Sequence, residues 1–478
     1  MENAVAKLRV GLAGFGLETY WPQFQGLEER LHGYLRTVHQ TIESADRTII
    51  NLGLIDSSQK AVEAGHVCRR QDIDILLVYP TTYALSSTML PVISRAKVPV
   101  ILLNLQPEAA MDYARLNRMH SRTAMTGEWL AYCSSCPVPE IANVLRRLDI
   151  PFQQVTGMLH DDPTCRAELE EWLCAAEVAK TLSHSRMGLM GHYYSGMLDI
   201  ATDLAQVTGR LGTHIEMLEV DQLSGLRREV TKQETAAKLA EFSTFFSIDE
   251  DCSPEELDRA ATTAVALDKM VADNSLDMLA YYSMGSGIDE NENTMSSIIL
   301  GTSLLTGKGI PVAGEYEIKN VLAMKIMDEL GAGGSFTEYY AMDFKDDIVL
   351  MGHDGPGHPR IAQDRIRVRP LRVYHGKVGR GLSVEMAVKH GPVTLLSVVE
   401  DKEKGFSLLI AEGESVTGPI LEIGNTNSRY RFPIGARSFV EAWNARGPAH
   451  HCAVGIGHKG QQLHKLAKLI NLGFHQVC

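Results

Sequence analysis

The sequence predicts an α/β protein: two doubly wound α/β domains followed by a C-terminal antiparallel β-barrel-like domain. Three observations carry that expectation. Short continuous apolar runs alternate with helical stretches at the start of the chain, the pattern of parallel strands covered on both faces. A second alternating set follows after a long helix near residue 165. Beyond about residue 365, the runs take on period-two character and are separated by Gly, Asp and Lys turns, as in an antiparallel sheet. The expected domains are 1–175, 176–325 and 326–478.

In the first domain the strand candidates are LRVGLAG (8–14), TIINLGL (48–54), DILLVY (74–79) and VPVILLN (98–104), with a helix over FQGLEERLHGYLRTVHQTI (24–42). Ligands of such sheets bind beyond the carboxyl ends of the strands. Here those ends carry Gly14–Tyr20, Asp56–Ser58, Pro80–Tyr83 and Asn104–Pro107. A helix begins near Asp162, which can cap it, with Pro163 in its first turn. MGLMG (187–191) opens the second set. It continues with THIEMLEV (213–220), a helix around 233–245, another capped near Ser253, LDMLAYY (276–282) and a helix over 293–306. The last part holds the strand candidates RIRVRPLRVYHG, GLSVEMAVK, VTLLSVVED and FSLLIAEG, with no long amphipathic helix before 459–471. No internal repeat is found.

Composition sets the outer bounds. The 478 residues allow about three domains, and 45% apolar with 22% charged residues is ordinary for a globular chain. The balance of 46 basic and 59 acidic residues, net −13, argues against a nucleic-acid partner. No apolar run reaches the ~18 residues of a membrane helix, and MENAVAKLRV does not read as a signal sequence. The expected location is cytoplasmic, and the eight cysteines are then expected to be reduced. Cys133 and Cys136 form a single C-x-x-C with no second pair for zinc; they read as two ordinary thiols, with a redox dithiol as the alternative.

Two segments invite chemistry. GLAGFG (11–16) has its glycines in the order G-x-x-G-x-G rather than G-x-G-x-x-G, and no clear acidic residue follows ~20 positions later, so a nicotinamide cofactor is not expected. Segment 311–358 is more informative. Glu315, Glu338 and His353 each follow an apolar or glycine-rich run, where strand ends would bring them together. Two carboxylates and an imidazole make a borderline-hard cation site, suiting Mn²⁺, Co²⁺ or Mg²⁺. ARGPAHHCAVG (445–455) adds the pair His450 and His451.

These segments resemble the L-arabinose isomerase family, and more loosely the L-fucose isomerases. The likeness begins at RAELEEWLCAAEVAKTLSHSRMGLMG and is strongest at GEYEIKNVLAMKIMDE and GGSFTEYY. It continues at IVLMGH, GPVTLLSV and GPAHH, in the family's order. The resemblance implies four metal ligands, Glu315, Glu338, His353 and His451, around a divalent cation that is most often Mn²⁺. It also implies a homo-oligomer, a trimer or hexamer with active sites between subunits. The implied reaction is aldose–ketose isomerisation of a sugar such as L-arabinose, with D-galactose to D-tagatose as a side activity, through an enediol. Glu315 and Glu338 would be the catalytic acid/base pair and His450 a hydrogen-bond partner of the sugar. Tyr20, Trp21, Gln23, Met197 and Tyr282 are expected in the sugar wall, where aromatics and amides are common. The chain departs from the family at GFGLETYWPQF, TAMTGEW (123–129) and LMGHYYSGM (189–197), segments that contact the sugar in the family. L-fucose and D-arabinose are therefore alternative substrates, and a non-catalytic sugar-binding protein of the same fold is the alternative function.

Overall fold

A computed structural model describes residues 7–285, 287–371, 380–401 and 405–478. The chain divides into two compact units, Met1–Lys180 and Thr181–Cys478. Among the described residues, no helix is long and apolar enough to cross a membrane.

The first unit is a five-stranded parallel sheet. Its strands are β1 (Leu8–Phe15), β2 (Arg47–Ile55), β3 (Ile75–Pro80), β4 (Val100–Gln106) and β5 (Gln153–Met158), in the order β2-β1-β3-β4-β5. β3 is buried at all six positions, which is why its sequence is one continuous apolar run. β5 escapes the sequence reading for the opposite reason. It is an edge strand with one fully buried residue, Val155, so QQVTGM carries no apolar signature. The order reverses between β1 and β3, the position at which sheets of this kind bind ligands.

One sequence expectation is corrected in this unit. Cys133 and Cys136 are joined by a disulfide and are not free thiols. The turn Cys133–Ser135 brings their Cα atoms to 5.4 Å, inside the range that a disulfide spans without moving the backbone.

The second unit begins with a parallel sheet. It contains β6 (Arg186–Gly191), β7 (His214–Leu218), β8 (Phe246–Ile248), β9 (Met278–Tyr282) and β10 (Val312–Ala313). Four of these form the sheet β10-β9-β6-β7. The strand-rich part adds β11 (Ser335–Asp343), β12 (Ile348–His353), β13 (Ile366–Leu371), β14 (Gly381–Glu385), β15 (Gly391–Asp401), β16 (Gly405–Val416), β17 (Thr426–Arg431), β18 (Cys452–Ile456) and β19 (Gly473–Gln476). Seven of them form one sheet, β15-β18-β11-β12-β17-β16-β19, and β15 also pairs with β16, so the ladder returns on itself. β8 pairs in parallel with β13, which ties the middle of the chain to its strand-rich end. The residues expected as central and C-terminal domains share one core, running from Met190 and Leu279 through Val349 and Val393 to Val454.

Two helical details differ from the sequence reading. The helix expected over 293–306 is broken into Asp289–Met295 and Ile299–Gly307. A further helix, Ala436–Asn444, lies between β17 and β18. Its Phe439 stacks on Phe432 at 3.5 Å between centroids and packs against Trp443.

Gly352 sits in β12 directly before His353. A Cβ there would fall 1.8 Å from the Thr426 carbonyl oxygen and 2.8 Å from the Asn427 Cα. Gly352→Ala is expected to lower stability by roughly 1–3 kcal/mol through overpacking of the β12–β17 pairing. A thermal-unfolding midpoint below that of the parent protein checks this, and an unchanged midpoint would contradict the packing.

Candidate functional site

Strand register gathers the charged residues of the second unit. β11 lies between β18 and β12. Thr337 pairs with Cys452 on one side, so Glu338 and His451 come next along the same ladder. Glu338 pairs with Gly352 on the other side, with His353 as the following residue. Glu315 arrives from the parallel sheet, two residues beyond the end of β10.

The side chains converge. Glu315 Oε1 lies 3.7 Å from His353 Nε2, and Glu315 Oε2 lies 3.5 Å from His451 Nε2. Glu338 Oε2 accepts a hydrogen bond from His450 Nε2 at 2.6 Å and stands 3.9 Å from His451 Nε2. Two sets of three donor atoms, Glu315–His353–His451 and Glu338–His450–His451, could each hold a metal ion, with all atoms of a set within 4.8 Å. His451 Nε2 is buried and has no hydrogen-bond partner, although it faces two carboxylates. A buried nitrogen aimed at carboxylate oxygens across a gap longer than a hydrogen bond fits a cation between them.

Burial sets the protonation states. It pushes the His451 imidazole down to about 3, and the charge of His353 acts in the same direction. His451 is therefore neutral at physiological pH, the form that ligates metals. Burial pushes the Glu315 and Glu338 carboxyls up, but the neighbouring histidines outweigh it and hold both below the usual range. The hydrogen bond to Glu338 raises His450 against the effect of burial.

Two contacts escaped the sequence reading. Glu317, fully buried, places Oε2 3.4 Å from His451 Nδ1, so the far ring nitrogen of the ligand candidate has a carboxyl behind it. Burial pushes Glu317 up to about 8, with Lys319 opposing. A carboxyl behind a ligating histidine fixes its tautomer. The only sequence signal is its position two residues after Glu315. Phe336, also fully buried, stacks on His451 at 4.4 Å and meets His353 edge-on at 4.2 Å.

A cavity of about 720 Å³ opens over the cluster. Glu315, Glu338, His353 and His450 line it, together with Asp354, Tyr340 and Asn425. Its apolar wall includes Met197, Met295, Ile298, Ile299, Leu421 and Ile423. Of the expected wall residues, Met197 is therefore at the cavity. Tyr282 is buried and packs on Tyr194 and His192, while Tyr194 and Tyr281 line the space. Tyr20, Trp21 and Gln23 belong to the first unit, just beyond β1, where Trp21 Nε1 donates to Asp56 Oδ2 at 2.8 Å.

The family model of the L-arabinose isomerase C-terminal domain matches residues 333–473. Residues 333–473 are thus similar to an L-arabinose isomerase C-terminal domain. Glu338, His353, His450 and His451 lie inside the matched residues, and Glu315 lies ahead of them. The sulfoquinovose isomerases of Priestia aryabhattai and Priestia megaterium are each 21% identical to the chain over 408 residues, covering 84% of it and 84% of their own length. A solved structure of an ABC transporter solute-binding protein from Agrobacterium vitis, with bound D-fucose, is 9% identical. It covers 64% of this chain and 93% of its own, at a TM-score of 0.13.

Phe336 separates the two imidazoles from the core behind them. Phe336→Ala is expected to cost roughly 3–5 kcal/mol of stability. Urea unfolding followed by circular dichroism measures this, and a loss below about 1 kcal/mol would show that the ring is dispensable.

Proposed function

We propose that the protein is a metal-dependent aldose–ketose isomerase acting on a neutral sugar such as L-arabinose, with D-galactose to D-tagatose as a side activity. The observation that carries this reading is the meeting of Glu315, Glu338, His353 and His451 beneath the cavity. We read the ladder that returns on itself as the barrel-like domain that supplies three of these four.

Glu315, Glu338, His353 and His451 would hold a divalent cation, Mn²⁺ in preference to Co²⁺ or Mg²⁺ because two carboxylates accompany two imidazoles. When bound, the cation supplies Lewis acidity at the sugar oxygens on C1 and C2. The protein groups move the protons. One of the two glutamates takes the proton from C2 as the C1 carbonyl oxygen is protonated, which gives the enediol. The C2 hydroxyl then loses its proton and a proton is delivered to C1, which leaves the ketose. His450, bonded to Glu338 and facing the cavity, donates a hydrogen bond to a sugar oxygen. Glu317 keeps His451 oriented.

The cavity wall bears on the substrate. Glu315, Glu338 and Asp354 line it beside an apolar wall, with no lysine or arginine among the described lining residues to pair with the sulfonate of the kind of sugar named for the Priestia relatives, which favours a neutral sugar. A second reading, a 6-deoxy aldose such as L-fucose, draws on the apolar wall of Met295, Ile298, Ile299, Leu421 and Ile423, which suits a terminal methyl group.

Chelation with EDTA should abolish ketose formation, and added Mn²⁺ should restore it. Glu315→Gln and Glu338→Gln should each lower kcat by roughly 10²–10⁴-fold. Near-normal turnover in either variant, or in the chelated protein, would refute the mechanism. A panel of L-arabinose, D-arabinose, L-fucose, D-galactose and sulfoquinovose separates the substrate readings. The highest kcat/KM is expected on a neutral sugar, and a preference for sulfoquinovose would overturn the neutral-sugar reading.

A further inference from the structure

The proposed isomerisation assigns no role to the Cys133–Cys136 pair, and the surroundings of the pair give it chemistry of its own. Cys133 is buried and Cys136 is exposed, so an external thiol meets one sulfur first. The pair immediately precedes the ten-residue helix Val138–Arg147. The two residues between the cysteines are anchored to the carboxyl end of β4. Ser134 Oγ donates to the Leu105 carbonyl at 2.8 Å, Ser135 Oγ donates to Asn104 Oδ1 at 2.7 Å, and Gln106 Nε2 donates to both hydroxyls at 3.0 and 2.8 Å. These bonds do not involve the sulfurs, so the turn has support that does not depend on the S–S bond.

We infer that Cys133–Cys136 is a reversible redox couple that exchanges with an external dithiol. A thiolate of the dithiol attacks Cys136 Sγ, the S–S bond breaks, and Cys133 leaves as a thiolate and takes up a proton. The second thiolate of the reductant attacks its own sulfur in the mixed disulfide and closes the reductant's disulfide. Cys136 is released and protonated. Two electrons and two protons pass from the dithiol to the protein.

The other cysteines do not compete. Burial pushes the thiols of Cys68, Cys165, Cys174, Cys252 and Cys478 up to about 11, and that of Cys452 higher still. They stay protonated at neutral pH and are poor nucleophiles.

Alkylation of the full-length folded protein, read by peptide mass mapping, tests the couple. After exposure to oxidised glutathione, residues 133 and 136 should be unlabelled by iodoacetamide. After dithiothreitol without denaturant, both should be labelled. In Cys133→Ser, oxidised glutathione should form a mixed disulfide at Cys136 at least ~10-fold faster than at Cys133 in Cys136→Ser. Two results would overturn the inference: a pair that resists dithiothreitol until the protein is unfolded, which marks a structural cross-link, or a pair still labelled after the oxidant. Should either serine variant fail to fold, the labelling of the parent protein decides alone.

Discussion

Two carboxylates held ionised beside an imidazole held neutral form the constraint on which the second unit depends. Neither state comes cheaply away from water. Burial raises the Glu315 and Glu338 carboxyls and depresses His451, so each group is pushed toward neutrality. The histidines return the carboxylates to the charged form, and the resulting negative charge is concentrated against the buried His451 Nε2, which has no hydrogen-bond partner. A cation among these atoms relieves the repulsion between the carboxylates and gives that nitrogen a partner. The same atoms without one are a poorly compensated arrangement for a protein core.

That arrangement explains the packing around it. Phe336 touches both buried imidazoles, so neither can tilt without moving a fully buried ring. Glu317 occupies the far side of His451. Lys319 and the His450 amide both bond to Asp199, so the segment ahead of the domain is fastened beside the cluster. The cavity opens where Glu315, Glu338, His353 and His450 face it, the side from which a substrate would approach.

The sequence made legible what depends on local pattern. β1, β3 and β4 are short apolar runs because both faces are covered, and Glu315, Glu338 and His353 stood out because each follows an apolar or glycine-rich run. β5 and the helix Ala436–Asn444 were not legible: one is an edge strand with a single buried residue, and the other interrupts a run of strands. Which member of the His450–His451 pair turns inward was not a matter of spacing alone. It follows from β18 beginning at Cys452 and pairing with β11 at Thr337. Glu317 could not be found from composition or periodicity, since its partner lies 134 residues away. The disulfide was misread because a lone C-x-x-C says nothing about the turn that closes it.

The backbone at Glu315 shows where this site stores its cost. Glu315 and Tyr316 both adopt left-handed conformations, at φ 57° and 63°, without being glycine. Such residues cost of order 1–3 kcal/mol each and persist only where their surroundings hold them. Here the Tyr316 amide donates to the Tyr281 carbonyl and the Glu317 amide to that of Gly314, both at 3.0 Å, while the Tyr316 ring packs edge-on against Tyr193. Glycine would relieve the strain at position 315 but would remove the carboxylate that faces His353 and His451. The turn therefore keeps a side chain in a conformation that disfavours one, and the carboxylate it carries faces His353 and His451. Strain in the parallel sheet's last turn is the link that delivers its carboxylate to histidines supplied by the antiparallel one.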